Sequence, residues 1–215
     1  MVQLIKRNLY FRRWTIAIYS IALLLLPIHH FVLHHNMIWV SFILLFIHVI
    51  AIIDSAHAYR IYRRLGNREA YIFHHSLPVS RFQLLNAHYI TVISLTAFGA
   101  LLIWSYELKA NIVDFNGITF SVLWLFISAN LLTFVFGFPG CSEKLNDKIP
   151  MTAYIITMLF VVPFTIGVIL VTIGIVKFKN PLYFAPIDVG VWYFILSIIL
   201  AILSYLYQVY RIKKR

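Results

Sequence analysis

Few residues in this 215-residue chain have side chains able to do chemistry: nine histidines, seven carboxylates and one cysteine, Cys141. Asp54 is the one carboxylate inside an apolar stretch, and an ionisable group there is a candidate proton relay or substrate contact. His57 lies three residues further on and Arg60, Arg63 and Arg64 follow, so a structural ion pair or helix-end hydrogen bond competes with that role and is the reading the spacing favours. His48 lies nearest the middle of an apolar stretch. His29, His30, His34 and His35 form a cluster in which His30 and His34, at i and i+4, would present both rings to one metal ion on a continuing helix. No Cys, Asp or Glu nearby completes a ligand set, which favours interfacial histidines with hydrated tips. A lone cysteine excludes a disulfide framework and a Cys-based zinc site.

The usual catalytic signatures are missing. No glutamate follows a histidine as in His-Glu-x-x-His, no Gly-x-Ser-x-Gly elbow occurs, and none of the eight glycines precedes a lysine as a phosphate loop requires. The chain therefore cannot hydrolyse ATP by the P-loop route, it has too few carboxylates for a carboxylate-bridged metal site in the membrane, and no cofactor-binding signature is found.

Around these residues the chain is built for lipid. It is 62% apolar and 12% charged, against roughly 45–50% and 25% in soluble domains, and its mean hydropathy is +0.87. The expected class is all-α: one polytopic membrane domain spanning residues 1–215. Six windows reach spanning length: Trp14–Leu33, Ile38–Ala58, His88–Tyr106, Gly117–Phe138, Met151–Val176 and Val189–Val209. Fifteen of the eighteen Lys and Arg residues fall at the two termini and in alternate loops, leaving Lys109, Lys177 and Lys179 for the other side. The positive-inside rule then puts both termini in the cytoplasm. Net charge of +11 is thereby a topology signal with some attraction for anionic lipid, and nucleic acid is not needed to explain it. Pro27 and Pro163 are expected to kink spans one and five, and Gly167 and Gly174 to allow close packing of span five. In the first fourteen residues the apolar side chains do not gather on one helical face, so only composition points to an interfacial position.

Polar mass is concentrated in residues 59–87. Arg60, Arg63, Arg64, Asn67 and Arg68 make one polar stripe at helical spacing, so span two is expected to continue unbroken into the cytoplasm. A short helix then runs from Arg68 to about Ser76, where Leu77-Pro78 stops it. Ser80-Arg81-Phe82-Gln83 reads as a capping box that starts the helix of span three.

The run Gly66-Asn67-Arg68-Glu69-Ala70-Tyr71-Ile72-Phe73-His74-His75-Ser76-Leu77-Pro78-Val79-Ser80-Arg81 resembles a hallmark of type-two ABC exporter permeases, in which a segment ending Ser-Leu-Pro-Val/Ile-Ser-Arg joins spans two and three. The six-span layout with cytoplasmic termini is similar too. Small size and minimal outer loops resemble permeases of the staphylococcal phenol-soluble modulin exporter and related peptide or bacteriocin exporters. The resemblance implies a short cytoplasmic coupling helix seated on a separate nucleotide-binding ATPase that holds the ATP and Mg. Glu69, Tyr71, His74, His75, Leu77, Pro78, Val79, Ser80 and Arg81 would contact or position that ATPase. It further implies a bacterial cytoplasmic membrane location and a second permease subunit, identical or related. The pathway walls would come from spans one, two and five. Its cargo would be amphipathic or hydrophobic peptides, with toxin or antimicrobial peptide export serving virulence or immunity. Many relatives carry a lysine entering span three where this chain has Ala87-His88-Tyr89.

Two other classes stay open at this point. One is an ion-coupled transporter using Asp54 and His48; the other is a lipid-modifying membrane enzyme using Asp54 with His57 or the outer histidines. The enzyme needs several polar groups at one depth, and the sequence assembles no such cluster.

Overall fold

The computed structural model describes residues 1–33, 37–64, 78–106, 111–115, 117–136, 149–186 and 188–214. Helix dominates, as expected where lipid leaves backbone groups no partner but each other. Helix α1 (Val2–Phe11) is followed by α2 (Arg13–Ile28), α3 (Met37–Asp54) and α4 (His57–Arg64). Next come α5 (Arg81–Ser105), strands β1 (Asn111–Phe115) and β2 (Ile118–Ser121), and α6 (Val122–Phe136). The short α7 (Met151–Ile156) runs through a π-helical turn into α8 (Val162–Phe178), and α9 (Val189–Lys214) ends the chain.

Among the described residues four helical stretches are long and apolar enough to cross a membrane: Arg13–Phe31, Arg81–Ser105, Met151–Phe178 and Val189–Lys214. Two of the six expected windows form shorter apolar helices, Ile38–Asp54 and Val122–Phe136. The fold is helical as expected, with one small antiparallel hairpin among the described residues, in which β1 and β2 pair Phe115 with Ile118 and Val113 with Phe120. Span four was expected from Gly117, but the helix starts only at Val122, after β2. Gly117 has a positive φ of 81° that a side chain would strain, as the turn of such a hairpin requires.

Central in the fold is α6, which packs against α3, α4, α5 and α9. Ser128, Asn130 and Thr133 are fully buried on it beside Leu125, Ala129 and Phe134. One core cluster joins α6 to α7, α8 and α9 through Leu125, Tyr154, Leu159, Val171 and Tyr193. A second joins α2, α3 and α5 to α6 through Tyr19, Ile47, Leu102 and Phe126. A third stacks the Tyr89 and Phe134 rings at 3.8 Å and adds Ile61, Leu85 and Ala201. At the crossing of α2, α5 and α6 a Cβ on Gly99 would stand 2.7 Å from Phe126 Cζ and 2.9 Å from the Tyr19 hydroxyl, so only glycine allows this approach. Outward faces carry large apolar side chains, among them Leu24, Leu45, Val176 and Leu206, as contact with lipid tails demands.

Both prolines expected to kink their helices adjoin π-helical turns. Pro27 precedes the turn His29–Leu33, and Pro163 follows the turn Thr157–Val161. Gly174 serves the end of α8: Lys179 adopts a left-handed φ of 53°, Asn180 N–H returns to the Gly174 carbonyl, and the Asn180 carbonyl passes 2.6 Å from where a Cβ would sit.

Two local expectations are corrected. Span two does not continue unbroken, because α3 ends at Asp54, Ala56 takes a left-handed φ of 76°, and α4 starts afresh at His57. The first residues do form a packed helix, with Leu4 and Asn8 of α1 buried against α5. Asn8 Nδ2 donates to Thr91 Oγ1 at 3.4 Å, so the inward face carries an amide that a test for an apolar stripe scores against it.

Candidate functional site

Among the described residues a buried polar cluster forms where α1, α2, α3 and α4 meet. Arg12 occupies the joint between α1 and α2. Its Nη2 donates to Asp54 Oδ1 at 2.9 Å and to His57 Nδ1 at 3.0 Å. Arg60, one turn into α4, donates from Nη1 to the same Asp54 oxygen at 2.6 Å. Side-chain exposure is 7% for Arg12, 6% for Asp54 and 23% for Arg60. An arginine can only donate, so His57 accepts at Nδ1 and the neutral ring carries its proton on Nε2. Burial lowers the pKa of Arg60, against the opposing pull of Asp54, yet a guanidinium stays cationic.

Backbone geometry builds this cluster. Ending α3 at Asp54 and restarting at His57 exposes the first N–H groups of a new helix. Asn130, on α6, meets that need: its Oδ1 accepts the His57 N–H at 2.9 Å while its Nδ2 donates to the Phe126 carbonyl at 3.0 Å. Ser55 Oγ donates back to the Ala51 carbonyl, occupying an acceptor at the end of α3. Arg12 and Asn130 are thus the two residues the sequence reading missed. Arg12 was counted there as a topology charge, and Asn130 is an amide within an apolar run, a signal of interhelical hydrogen bonding.

The residues singled out from sequence divide clearly. Asp54 is held by two arginines, not by His57. His48 bonds from its ring to the Leu44 carbonyl at 2.7 Å within its own helix. Six residues of helix separate it from Asp54, about 9 Å along the axis and roughly a third of a turn around it, so the two do not share a site. His29 is buried with its ring 5.2 Å from that of Tyr106, and His30 lies 3.4 Å from the Ser105 carbonyl. His34 and His35 lie outside the described residues, among which no group of three potential metal ligands occurs.

Of the proposed coupling residues, Glu69, Tyr71, His74, His75 and Leu77 lie outside the described residues. Pro78 and Ser80 are exposed, and Val79 packs on Leu4, Leu84 and Ala87. Arg81 opens α5. The capping box is present: Gln83 N–H donates to Ser80 Oγ at 3.1 Å and Ser80 N–H to Gln83 Oε1 at 3.3 Å. Both stems of the 65–77 segment are therefore held by the N-terminal region. Leu4 of α1 packs on the α5 stem, and Arg12 bonds His57 at the start of α4.

The family model described as ABC-2 family transporter protein matches residues 3–213. The chain belongs to the ABC-2 transporter family. No curated protein and no solved structure matches it. As an ABC-2 family protein it is an integral membrane permease component of an ABC transporter. In this ABC-2 permease an apolar groove of about 650 Å³ lies between α5, α6 and α9, bordered by Tyr89, Ile93, Phe134, Phe194 and Tyr205. That face is distinct from spans one, two and five, which were expected to wall the pathway.

Proposed function

We propose that this chain is the pathway-forming half of an ATP-driven exporter of amphipathic or hydrophobic peptides, toxins or antimicrobial peptides among them. Two such subunits, identical or related, would form the pathway in a bacterial cytoplasmic membrane. ATP and Mg would be bound by a separate ABC ATPase, and this chain would do no catalysis. The match to the ABC-2 family over residues 3–213 carries the reading. The Leu77-Pro78-Val79-Ser80-Arg81 run and the likeness to phenol-soluble modulin exporters add the direction and the cargo class.

In this reading α2, α3, α5, α6, α7 with α8, and α9 make six spans with both termini cytoplasmic. The fifteen-to-three division of cations supports it. The fifteen residues of α6 cover about 22 Å, short of a hydrocarbon core of about 30 Å. Its burial among other helices and the hairpin before it make up the rest, since non-helical backbone is tolerated where protein covers it.

The segment from Glu69 to Arg81 would be the coupling element, its short helix running from Arg68 to about Ser76. A push on it would travel directly into α5, whose 25 residues are continuous from the Ser80 cap. On the other stem the helix is broken at Ala56, so force would pass from α4 to α2 and α3 through Arg60, Asp54 and Arg12. This asymmetric lever replaces the unbroken one expected from sequence.

The test is affinity purification of the tagged chain from its host in mild detergent, with mass spectrometry of what accompanies it. Recovery of a P-loop ATPase, lost when residues 69–81 are scrambled in a chain that still unfolds at its normal temperature, is the expected result. An ATPase-free oligomer would instead favour an ion-coupled transporter, for which Asp54→Asn would abolish proton-dependent flux.

A further inference from the structure

At the joint of α1 and α2 two guanidiniums share one carboxylate, and the surplus positive charge faces a cavity. Arg12, Asp54 and Arg60 form the polar side of a pocket of about 220 Å³, whose apolar side includes Trp14, Ile18 and Ile53. Both ion pairs end on Asp54 Oδ1. Arg12 makes its two bonds from Nη2, and its buried Nε has no partner among the described residues. His57, being neutral, leaves the sum at one positive charge. Arg12 and Asp54 are almost wholly buried while Arg60 is partly solvated, so the surplus charge opens on the pocket, where an anion can neutralise it.

We infer that this pocket binds a phosphate group, carried by an anionic lipid whose tails lie along Trp14, Ile18 and Ile53. Guanidinium donors suit phosphate oxygens, which they hold in pairs. One phosphodiester carries a single negative charge, which balances the site, whereas a phosphate dianion overshoots it. The three apolar neighbours are 68%, 41% and 50% exposed, the exposure expected of side chains that lipid tails cover. Trp14 follows the arginines directly, as an interfacial aromatic does. The site holds the α1–α2 joint and the α3–α4 joint at once, so an occupant would brace both. The inference does not depend on the transport reading.

The experiment is thermal unfolding of the full chain in uncharged detergent while short-chain phosphatidylglycerol is titrated in. Parallel titrations use phosphatidylcholine of equal chain length and inorganic phosphate. Phosphatidylglycerol is expected to raise Tm saturably and the other two are not. Arg60→Gln is expected to raise the half-saturating concentration about tenfold or more. Arg13→Gln, at an exposed neighbour bonded to the Tyr10 hydroxyl, should change it by less than about twofold. Asp54→Asn raises the surplus from one charge to two, so any folded fraction should bind phosphatidylglycerol more tightly. An equal effect of Arg13→Gln and Arg60→Gln, equal stabilisation by phosphatidylcholine, or weaker binding in Asp54→Asn would each overturn the site. Stabilisation by inorganic phosphate that competes with the lipid would overturn the lipid as its source and assign the pocket to the free anion.

Discussion

Arg12 and Asp54, forty-two positions apart, meet at 2.9 Å with both side chains almost wholly buried. This pair ties the N-terminal joint to the end of α3, and Arg60 supports the same carboxylate from a more exposed position. Removing Arg12 takes the buried partner from Asp54 and the donor from His57 Nδ1, whereas removing the partly solvated Arg60 leaves Asp54 its buried partner. Arg12→Ala is therefore expected to cost about 3 kcal/mol, and Arg60→Ala about 1 kcal/mol. Denaturant unfolding in a mild detergent measures both. Arg12→Met combined with Asp54→Leu removes both members of the buried pair and leaves only the partly solvated Arg60 without its carboxylate, so it should cost less than the sum of the two single changes.

Asn130 makes the opposite case to hydropathy. Leucine is the more apolar choice inside a membrane protein, yet Asn130→Leu is expected to destabilise by about 1–3 kcal/mol. The His57 N–H that opens α4 would lose its acceptor, and the residue has no exposed surface through which water arrives. Hydrogen exchange should show the loss at α4 before α9. A neutral or stabilising result would mean that another acceptor takes over.

What the sequence disclosed and what it withheld follow one physical division. Apolar runs and capping chemistry are local, so the helical class and the Ser80–Gln83 box were legible. Arg12 was not, because nothing in its neighbourhood specifies a contact with Asp54; as an arginine flanking a span it looks like any topology charge. Asp54 was recognised as unusual, but the sequence pointed to His57 and the following arginines as its partners; among the described side chains Arg60 bonds to it, and so does Arg12, which the sequence did not point to. The hairpin had a local signal that went unread: an Asn-Gly pair in the sequence is a common hairpin-turn signal, and Gly117 has the positive φ such a turn takes. The break at Ala56 had none, since alanine is the best helix former and a left-handed alanine arises only from tertiary constraint.

Ser80 lies in the proposed coupling segment and also caps α5, and the two roles separate experimentally. Ser80→Ala is expected to cost about 1 kcal/mol and to speed hydrogen exchange in the first turn of α5, near Phe82 and Gln83. Ser80→Asp keeps an acceptor for the Gln83 N–H and should restore protection. If ATPase association fails in Ser80→Ala and returns in Ser80→Asp, the residue acts by ordering the stem. Failure in both, with protection restored in the second, would assign the hydroxyl itself to the interface.

The joint at Ala56 gives a test whose sign depends on the backbone. In an unbroken helix, replacing alanine by glycine costs about 1 kcal/mol and valine only about half that, so glycine is the worse substitution. At a left-handed φ of 76° the order reverses. Glycine adopts that conformation freely and regains about 1–2 kcal/mol, which offsets the lost burial of one methyl, about 0.8 kcal/mol, and its greater freedom when unfolded, about 0.5–1 kcal/mol. Valine is strained by its branched Cβ, and its extra methyl groups enter a position with no exposed surface beside Leu125 and Ala129. Ala56→Gly should thus stay within about 1 kcal/mol of the parent, while Ala56→Val loses about 2 kcal/mol or more. Unfolding curves that rank valine above glycine would restore the unbroken helix and, with it, a rigid connection from the coupling segment into span two.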